Sequence, residues 1–185
     1  SPGAISLEEH LDEISKLHAN GIYVSIQCNP IIPGVTSHEQ VIELFDKLKK
    51  AGADHVIIKF VEAGYSWAPD MVMRIQKRFG GRRANEFERL FVENIGGQKT
   101  IAEHYRMKGH RMYSRHAKKI GLTYATCYEY KYERNADGSI KDKTGVSVGR
   151  DYTTASQCHG PAVPVYARDS EEYDFEPLDE CPPSG

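Results

Sequence analysis

The chain has 185 residues, of which 39% are hydrophobic and 27% charged, and this composition argues against a disordered, fibrous or collagenous protein. The sequence has no apolar run of the roughly 18 residues that span a bilayer and no signal-peptide pattern, and its four cysteines are too widely spaced for a disulfide-dense secreted scaffold. We therefore expect a cytoplasmic protein without a membrane segment.

The formal net charge of −2 is the sum of unlike parts. Residues 1–73 carry 5 Lys and Arg against 10 Asp and Glu, whereas residues 74–119 carry 13 against 4. Residues 169–185 carry no Lys or Arg and seven Asp or Glu. A basic segment between acidic ends is typical either of a nucleic-acid partner for residues 74–119 or of a helical region with a solvated basic face. Composition alone favours the second interpretation.

Helical and strand patterns alternate over residues 1–68. The predicted elements are a helix between Ser6 and Asn20, a strand over 22–28, a helix between Ser37 and Gly52, and a strand over 54–61. Ser6 and Glu9 form a capping-box pattern, and the second helix can be capped either by Ser37 with Gln40 or by Thr36 with Glu39. The nearly continuous apolar run of the second strand is typical of a parallel sheet, so we expect α/β architecture.

Two parallel strands do not make a stable sheet by themselves. We therefore predict that residues 1–68 are the last βα units of a larger parallel sheet or barrel. The remaining strands would precede residue 1, in an absent N-terminal barrel half, or would come from a partner chain.

Residues 69–121 are predicted to form a basic helical segment. Its expected helices cover about 69–79, 84–95 and 99–120, separated by glycine pairs. The histidines of the third helix have no common helical spacing, so we interpret His104, His110 and His116 as surface residues rather than as a metal site.

Residues 122–185 are predicted to form a β-hairpin and an extended acidic tail. The strands would cover 122–132 and 146–152, with a turn at Asn135–Gly138.

The loop that follows the first strand is a candidate ligand site. Ligands of α/β proteins bind at the carboxyl ends of parallel strands, and Gly34 permits a close backbone approach. The alternative is a rigid turn needed only for folding. After the second strand, Tyr65 and Trp67 could stack on a base or on adenine, but such aromatic side chains more often fill a helical layer, and we adopt the latter interpretation.

The string Gly21–Thr36, a helix, and then Ala51–Val56 resembles the fifth and sixth βα units of radical S-adenosylmethionine enzymes, and the spore photoproduct lyase-like group (DNA repair photolyase-like) most of all. The later pattern Tyr105-Arg106-Met107, Arg115-His116-Ala117 and Gly121-Leu122 is similar to the C-terminal helices of that group. The resemblance covers roughly residues 7–128.

The resemblance implies the C-terminal part of a partial (β/α) TIM-like barrel that holds S-adenosylmethionine and a 4Fe–4S cluster. Ile32 and Gly34 would correspond to the fifth-strand motif beside the adenine, although Ser37 stands where that motif often ends in an acidic residue. The residues that would face the cofactor, by their positions at strand ends, are Gln27, Asn29, Lys59 and Glu62. No catalytic residue is identified.

The cysteines depart from the family pattern. The family binds its cluster through C-x-x-x-C-x-x-C, and no two cysteines here lie within 20 residues of each other. The cluster ligands are therefore expected outside this chain. A second metal site, for zinc or an auxiliary cluster, could gather Cys127, Cys158, His159 and Cys181, but buried or free thiols explain these residues more simply.

We conclude that the sequence predicts the C-terminal portion of a radical S-adenosylmethionine enzyme. The complete enzyme would cleave S-adenosylmethionine reductively and abstract hydrogen from a substrate, with nucleic acid as one substrate class. One alternative is a non-catalytic module that binds nucleic acid or is stabilised by zinc. Another is a barrel enzyme that binds a phosphorylated metabolite at the Gly34 loop, although it lacks a recognisable acid–base pair.

Overall fold

A computed structural model describes residues 5–95, 97–127, 129–140, 146–147, 149–155, 166–167 and 176–177. The helices are α1 (Leu7–Ala19), α2 (His38–Ala51), α3 (Ala68–Phe79), α4 (Gly81–Leu90), α5 (Glu103–Ile120) and α6 (Gly149–Tyr152). The strands are β1 (Ser25–Ile31), β2 (His55–Phe60), β3 (Glu62–Gly64), β4 (Phe91–Ile95), β5 (Gln98–Ile101), β6 (Thr123–Thr126), β7 (Tyr130–Lys131), β8 (Val146–Ser147), β9 (Tyr166–Ala167) and β10 (Glu176–Pro177).

The central sheet has three parallel strands in the order β1-β2-β6. His55 at the start of β2 pairs with Ser25 on one side and with Thr123 on the other. This arrangement confirms the α/β prediction. It also adds a strand, because β6 belongs to the parallel sheet although the sequence pattern assigned it to a hairpin extension.

One face of the sheet is covered by helices. Val56, Ile58 and Phe60 alternate along β2 and are almost completely buried in the main core. Phe60 stacks on Tyr113 of α5 at 6.4 Å, and Tyr113 also contacts Phe45 of α2 at 6.0 Å between ring centroids. Burial of large apolar side chains contributes roughly 1.5–3 kcal/mol each, so this face anchors α2 and α5 on the sheet.

Both predicted helix caps are present. The Ser6 hydroxyl accepts from the Glu9 amide at 3.2 Å, and the Ser37 hydroxyl accepts from the Gln40 amide at the same distance. The Gln40 side chain accepts from the Ser37 amide at 2.9 Å, so Ser37 caps α2 with Gln40. These caps satisfy amides that the first helical turn leaves unpaired.

Residues 91–95 and 98–101 pair as antiparallel strands, and the helical predictions that covered these two ranges are wrong. Strands β4 and β5 are antiparallel, with Ile95 opposite Gln98, and β3 pairs with the outer edge of β5. Gly97 has a φ of +83°, which suits a tight turn and not a helix. Val92, Ile95, Thr100 and Ile101 are β-branched, a composition that favours strands.

The turn predicted at Asn135–Gly138 is confirmed, since the Gly138 amide donates to the Asn135 carbonyl at 2.9 Å. Strands β7 and β8 pair on either side of this turn. The predicted return strand over 146–152 holds only at its start, because 149–152 is the short helix α6.

Candidate functional site

A cavity of about 400 Å³ opens where β2 and β6 end. We call it the strand-end cavity. Its polar and charged lining is Lys59, Glu62, Gln98, Thr100, Arg106, Cys127, Glu129 and Tyr132. The carboxyl ends of parallel strands are where α/β proteins bind ligands, and this cavity is therefore the candidate site.

Alternation along β2 directs Lys59 away from the core. Its neighbours Ile58 and Phe60 are buried, whereas the Lys59 side chain is 25% exposed and forms an ion pair with Glu62. Gln98 of β5 completes this wall, because its amide nitrogen, in the orientation that satisfies its hydrogen bonds, lies 3.2 and 3.3 Å from the two Glu62 oxygens. The wall is polar and electrically balanced.

The opposite wall contains a buried carboxylate. Glu129 accepts from Arg106 Nε at 2.7 Å through one oxygen and lies 2.8 Å from His110 Nε2 through the other. All three side chains are at most 6% exposed. Arg106 and His110 are four residues apart on α5, so they share one helix face and hold Glu129 between them.

The ion-pair network continues beyond Arg106. Arg106 Nη1 lies 3.4 Å from Glu93 of β4 and also donates to the Ile101 carbonyl. Arg134 lies 2.8 Å from Glu93 and 3.2 Å from Glu103. The network therefore links α5, the β4–β5 hairpin and the segment after β7.

The network sets the ionisation of Glu129. Burial by itself raises the pKa of this carboxyl, but the hydrogen bond from His110 and the charge of Arg106 outweigh burial, and the pKa lies below its ordinary value of 4.5. Glu129 is consequently an anion at neutral pH. An anion that loses its partners in such a place has a high cost, because water cannot replace them.

The far side of the His110 ring contacts a buried phenol. Tyr124 of β6 is fully buried, burial raises its pKa well above 10, and its hydroxyl lies 2.6 Å from His110 Nδ1. We assign the Nε2–H of His110 as the donor to Glu129, because a carboxylate only accepts, and the Tyr124 hydroxyl is the partner of Nδ1. This assignment satisfies every polar atom of the chain from Tyr124 to Glu129.

Two of the sequence-predicted residues, Lys59 and Glu62, line the strand-end cavity. Gln27 and Asn29 lie at exposed positions of β1. The structure therefore places all four on or beside the strands, and brings Lys59 and Glu62 together as an ion pair.

Ile32 and Gly34 lie elsewhere. Ile32 packs against the core, and Gly34, with a φ of +79°, borders a separate cavity of about 330 Å³. A Cβ at Gly34 would lie 2.5 Å from the Arg83 carbonyl, so the loop approaches the backbone of α4 closely. The close packing of the loop on α4 therefore explains why position 34 is a glycine.

The structure describes only one of the four residues of the predicted second metal site. Cys127 is a half-buried cysteine in the lining of the strand-end cavity, whereas Cys158, His159 and Cys181 lie outside the described residues. Within the described ranges, no group of three or more His, Cys, Asp or Glu side chains could hold a metal ion.

The network residues Arg106, His110, Tyr124 and Glu129 were missed by sequence reasoning. The surface interpretation of His110 is wrong, because its side chain is completely buried. A signal was available: Arg106, His110, Tyr113 and Ala117 recur at intervals of four, three and four, the pattern of a buried helix face.

Helices α3 and α4 expose six cations, which we call the basic face. Its members are Arg74, Lys77, Arg78, Arg82, Arg83 and Arg89. In the part of the chain that the structure describes, none of them forms an ion pair with a carboxylate. An apolar groove of about 370 Å³ runs beside Arg74 and Arg78 and ends at Trp67.

The prediction that Trp67 and Tyr65 fill a helical layer is wrong. Trp67 is 66% exposed and Tyr65 is 51% exposed. Trp67 immediately precedes α3, so it stands at one end of the basic face.

No helix in the described ranges is long and apolar enough to cross a membrane. No family model matches the sequence, and no solved structure matches the fold.

The chain is 50% identical over 186 aligned positions to a protein of Pseudomonas phage M6 named radical SAM Nα-GlyT isomerase. The match covers all of this chain but 38% of that protein, so the chain spans less than two fifths of the relative's length. This similarity supports a place in the radical SAM superfamily, in agreement with the resemblance seen in the sequence. It does not bear on the spore photoproduct lyase-like group.

Proposed function

We propose that this chain is the C-terminal portion of a radical SAM isomerase and that its strand-end cavity holds part of the substrate. The observation that carries the proposal is the 50% identity to the phage isomerase along the whole of this chain. The position of the cavity supports it, because parallel strands of α/β enzymes end at the ligand. By this similarity we propose Nα-GlyT, the compound in the relative's name, as the substrate.

The cofactors would be S-adenosylmethionine and a 4Fe–4S cluster. The described residues do not fit the cluster, since Cys28 lies in β1, Cys127 follows β6, and no group of three ligands is present among the described residues. Burial also raises the pKa of Cys28 to about 12, which disfavours the thiolate that such a cluster needs. We propose that the cluster ligands lie outside this chain, and we derive no chemical step through the cluster.

The open edge of β1 is the proposed place for the rest of the barrel. In the described residues β1 pairs only with β2, and its side chains Ser25, Gln27 and Asn29 are exposed. Unpaired strand edges bind further strands readily. Additional strands of a longer chain or of a partner would continue the sheet here and cover the polar face of β1, where Gln27 and Asn29 would face the cofactor.

The test uses the protein that carries this chain together with the cluster-binding part. Formation of 5′-deoxyadenosine and conversion of Nα-GlyT are measured for the parent, for Glu62→Gln and for the exposed control Glu43→Gln. We expect Glu62→Gln to lower conversion about tenfold, because it removes a charged partner worth roughly 1.5 kcal/mol or more. A parent without 5′-deoxyadenosine formation contradicts the superfamily, and equal conversion by both variants contradicts the role of the cavity.

A second candidate function is nucleic-acid binding through the basic face. Six exposed cations without ion-pair partners in the described structure attract phosphates, and an exposed Trp67 offers a surface on which a base can stack. The basic segment predicted at 74–119 thus divides into a buried part around Arg106 and this exposed part. Binding of a single-stranded oligonucleotide that weakens steeply with salt would support this function, and salt-independent binding would contradict it.

A further inference from the structure

The apolar groove along α3 is open to solvent. Two of its lining residues, Trp67 and Phe79, are large apolar side chains that are exposed in the described structure. Met71 and Ile75, four residues apart on one face of α3, belong to the same lining. An exposed apolar surface of this kind marks a place where another segment packs.

The charges beside the groove are mainly positive. Arg74 and Arg78, four residues apart on α3, line it, and Asp70 is the only acid among the described lining residues. The guanidinium of Arg83 lies 6.0 Å from the centroid of the Phe79 ring, which brings a third cation to this groove. Helices α3 and α4 together hold six cations against three acids. A partner that fits here therefore combines apolar side chains with several negative charges.

One segment of this chain has that chemistry. Residues 169–185, which we call the acidic tail, contain seven Asp or Glu and no Lys or Arg. Tyr173 and Phe175 stand among these acids. The structure describes only Glu176 and Pro177 of the tail, which pair with β9, so six of the seven acids lie outside the described residues.

We propose that the acidic tail docks on the groove, with its aromatic rings against Trp67 and its carboxylates beside Arg74 and Arg78. A segment of the same chain is favoured over a separate acidic partner, because it acts at an effective concentration on the order of mM. Rings that pack on Trp67 bury apolar area, and the carboxylates meet cations that form no ion pair in the described structure. The tail thereby restrains the second candidate function, since an oligonucleotide at the basic face has to displace it.

Trp67 reports on this contact directly, because it is the only tryptophan of the 185 residues. The test measures quenching of its fluorescence by acrylamide, an uncharged quencher, on the whole chain in low and high sodium chloride. We expect the quenching constant to rise about twofold between roughly 0.05 M and roughly 1 M salt, because salt screens the ion pairs of the tail. Glu171→Gln with Glu172→Gln should give the raised constant already in low salt, and so should Arg74→Gln with Arg78→Gln.

Two matched controls remove the same charges elsewhere. Glu8→Gln with Glu43→Gln removes two exposed acids of α1 and α2, and Lys118→Gln with Lys119→Gln removes two exposed cations of α5. Both controls should respond to salt as the parent does, because neither changes the tail or the groove.

A quenching constant that does not change with salt in the parent overturns the proposal, even where a variant does not fold. A salt response that the tail variant retains in full also overturns it, because something other than the tail then covers Trp67. Protection that falls on dilution of the protein assigns the contact to the tail of a second copy and overturns docking within one chain. The samples contain neither cluster nor S-adenosylmethionine, so the outcome is separate from that of the isomerase proposal.

Discussion

His110 Nε2 lies 2.8 Å from Glu129 Oε2, and this contact joins the buried face of α5 to the segment that follows β6. Arg106 holds the other oxygen of Glu129 at 2.7 Å. The two contacts fix a buried carboxylate at the edge of the strand-end cavity, and several of its consequences can be measured.

Glu129→Gln should destabilise the chain by roughly 3 kcal/mol, because Arg106 would remain buried without its closest anion. The measurement is the free energy of unfolding in urea. Glu43→Gln, an exposed change of the same chemistry, should alter that energy by less than about 0.5 kcal/mol. Equal, small effects of both substitutions would show that the network contributes little.

The same carboxylate predicts how the free energy of unfolding falls at acid pH. The pKa of Glu129 is lower in the folded chain than its ordinary value of 4.5, so folding favours the anion. Its contribution is present in full above pH 4.5 and is lost as the pH falls toward the lower folded pKa. Urea unfolding from pH 7 to pH 3 should therefore show a steeper loss of stability for the parent than for Glu129→Gln, and parallel curves would contradict this assignment.

Gly34→Ala tests the packing of the loop on α4. The new Cβ would meet the Arg83 carbonyl at 2.5 Å and would also require a φ of +79°. Gly21→Ala imposes a similar φ of +73° with nothing within 4 Å, so it measures the backbone strain alone, about 1 kcal/mol. We expect Gly34→Ala to be more destabilising than Gly21→Ala in thermal or urea unfolding, and equal losses would mean that the loop moves freely.

The paired substitution Arg74→Gln and Arg78→Gln tests phosphate contacts at the basic face. Each lost phosphate contact should reduce the slope of log affinity against log salt by about 0.7 for a single-stranded oligonucleotide. Lys118→Gln with Lys119→Gln removes the same charge from the last turn of α5 and should change the slope less. The reverse order would place the contact on α5.

Trp67→Ala tests base stacking at the end of the basic face. Loss of one stacked base should weaken oligonucleotide binding by about 1–3 kcal/mol, while the salt slope stays unchanged. Met73→Ala is a suitable control, since Met73 is also exposed on α3 at 59%. Equal affinities of the two variants would show that no base stacks on Trp67.

Local patterns were sufficient for the elements whose signals lie within a few residues. The capping box at Ser6 was predicted because cap and partner are three residues apart, and Ser37 was one of two caps predicted for α2 on the same spacing. The turn ending at Gly138 was predicted from its turn residues. Over residues 91–101 the same approach failed. That hairpin is decided by the pairing of β4 and β5 with β3, which no local spacing displays.

Gly109 illustrates how packing changes the meaning of a residue. Within the helical pattern it is only a weak helix former. In the structure its missing side chain lets α5 approach α2 and β2, because a Cβ there would lie 2.7 Å from the Phe60 ring and 3.0 Å from His38.

By itself the sequence determined the α/β class, the first two parallel strands and the charge asymmetry, because periodicity and composition are local properties. It also placed Lys59 at the strand-end cavity, since the carboxyl end of a strand can be read directly from its apolar run. Only the tertiary structure brought Arg106, His110 and Glu129 together and separated the buried cations from those of the basic face. A charged side chain can be buried only with partners of opposite charge, and here those partners are distant in the sequence, so only the tertiary structure brings them together.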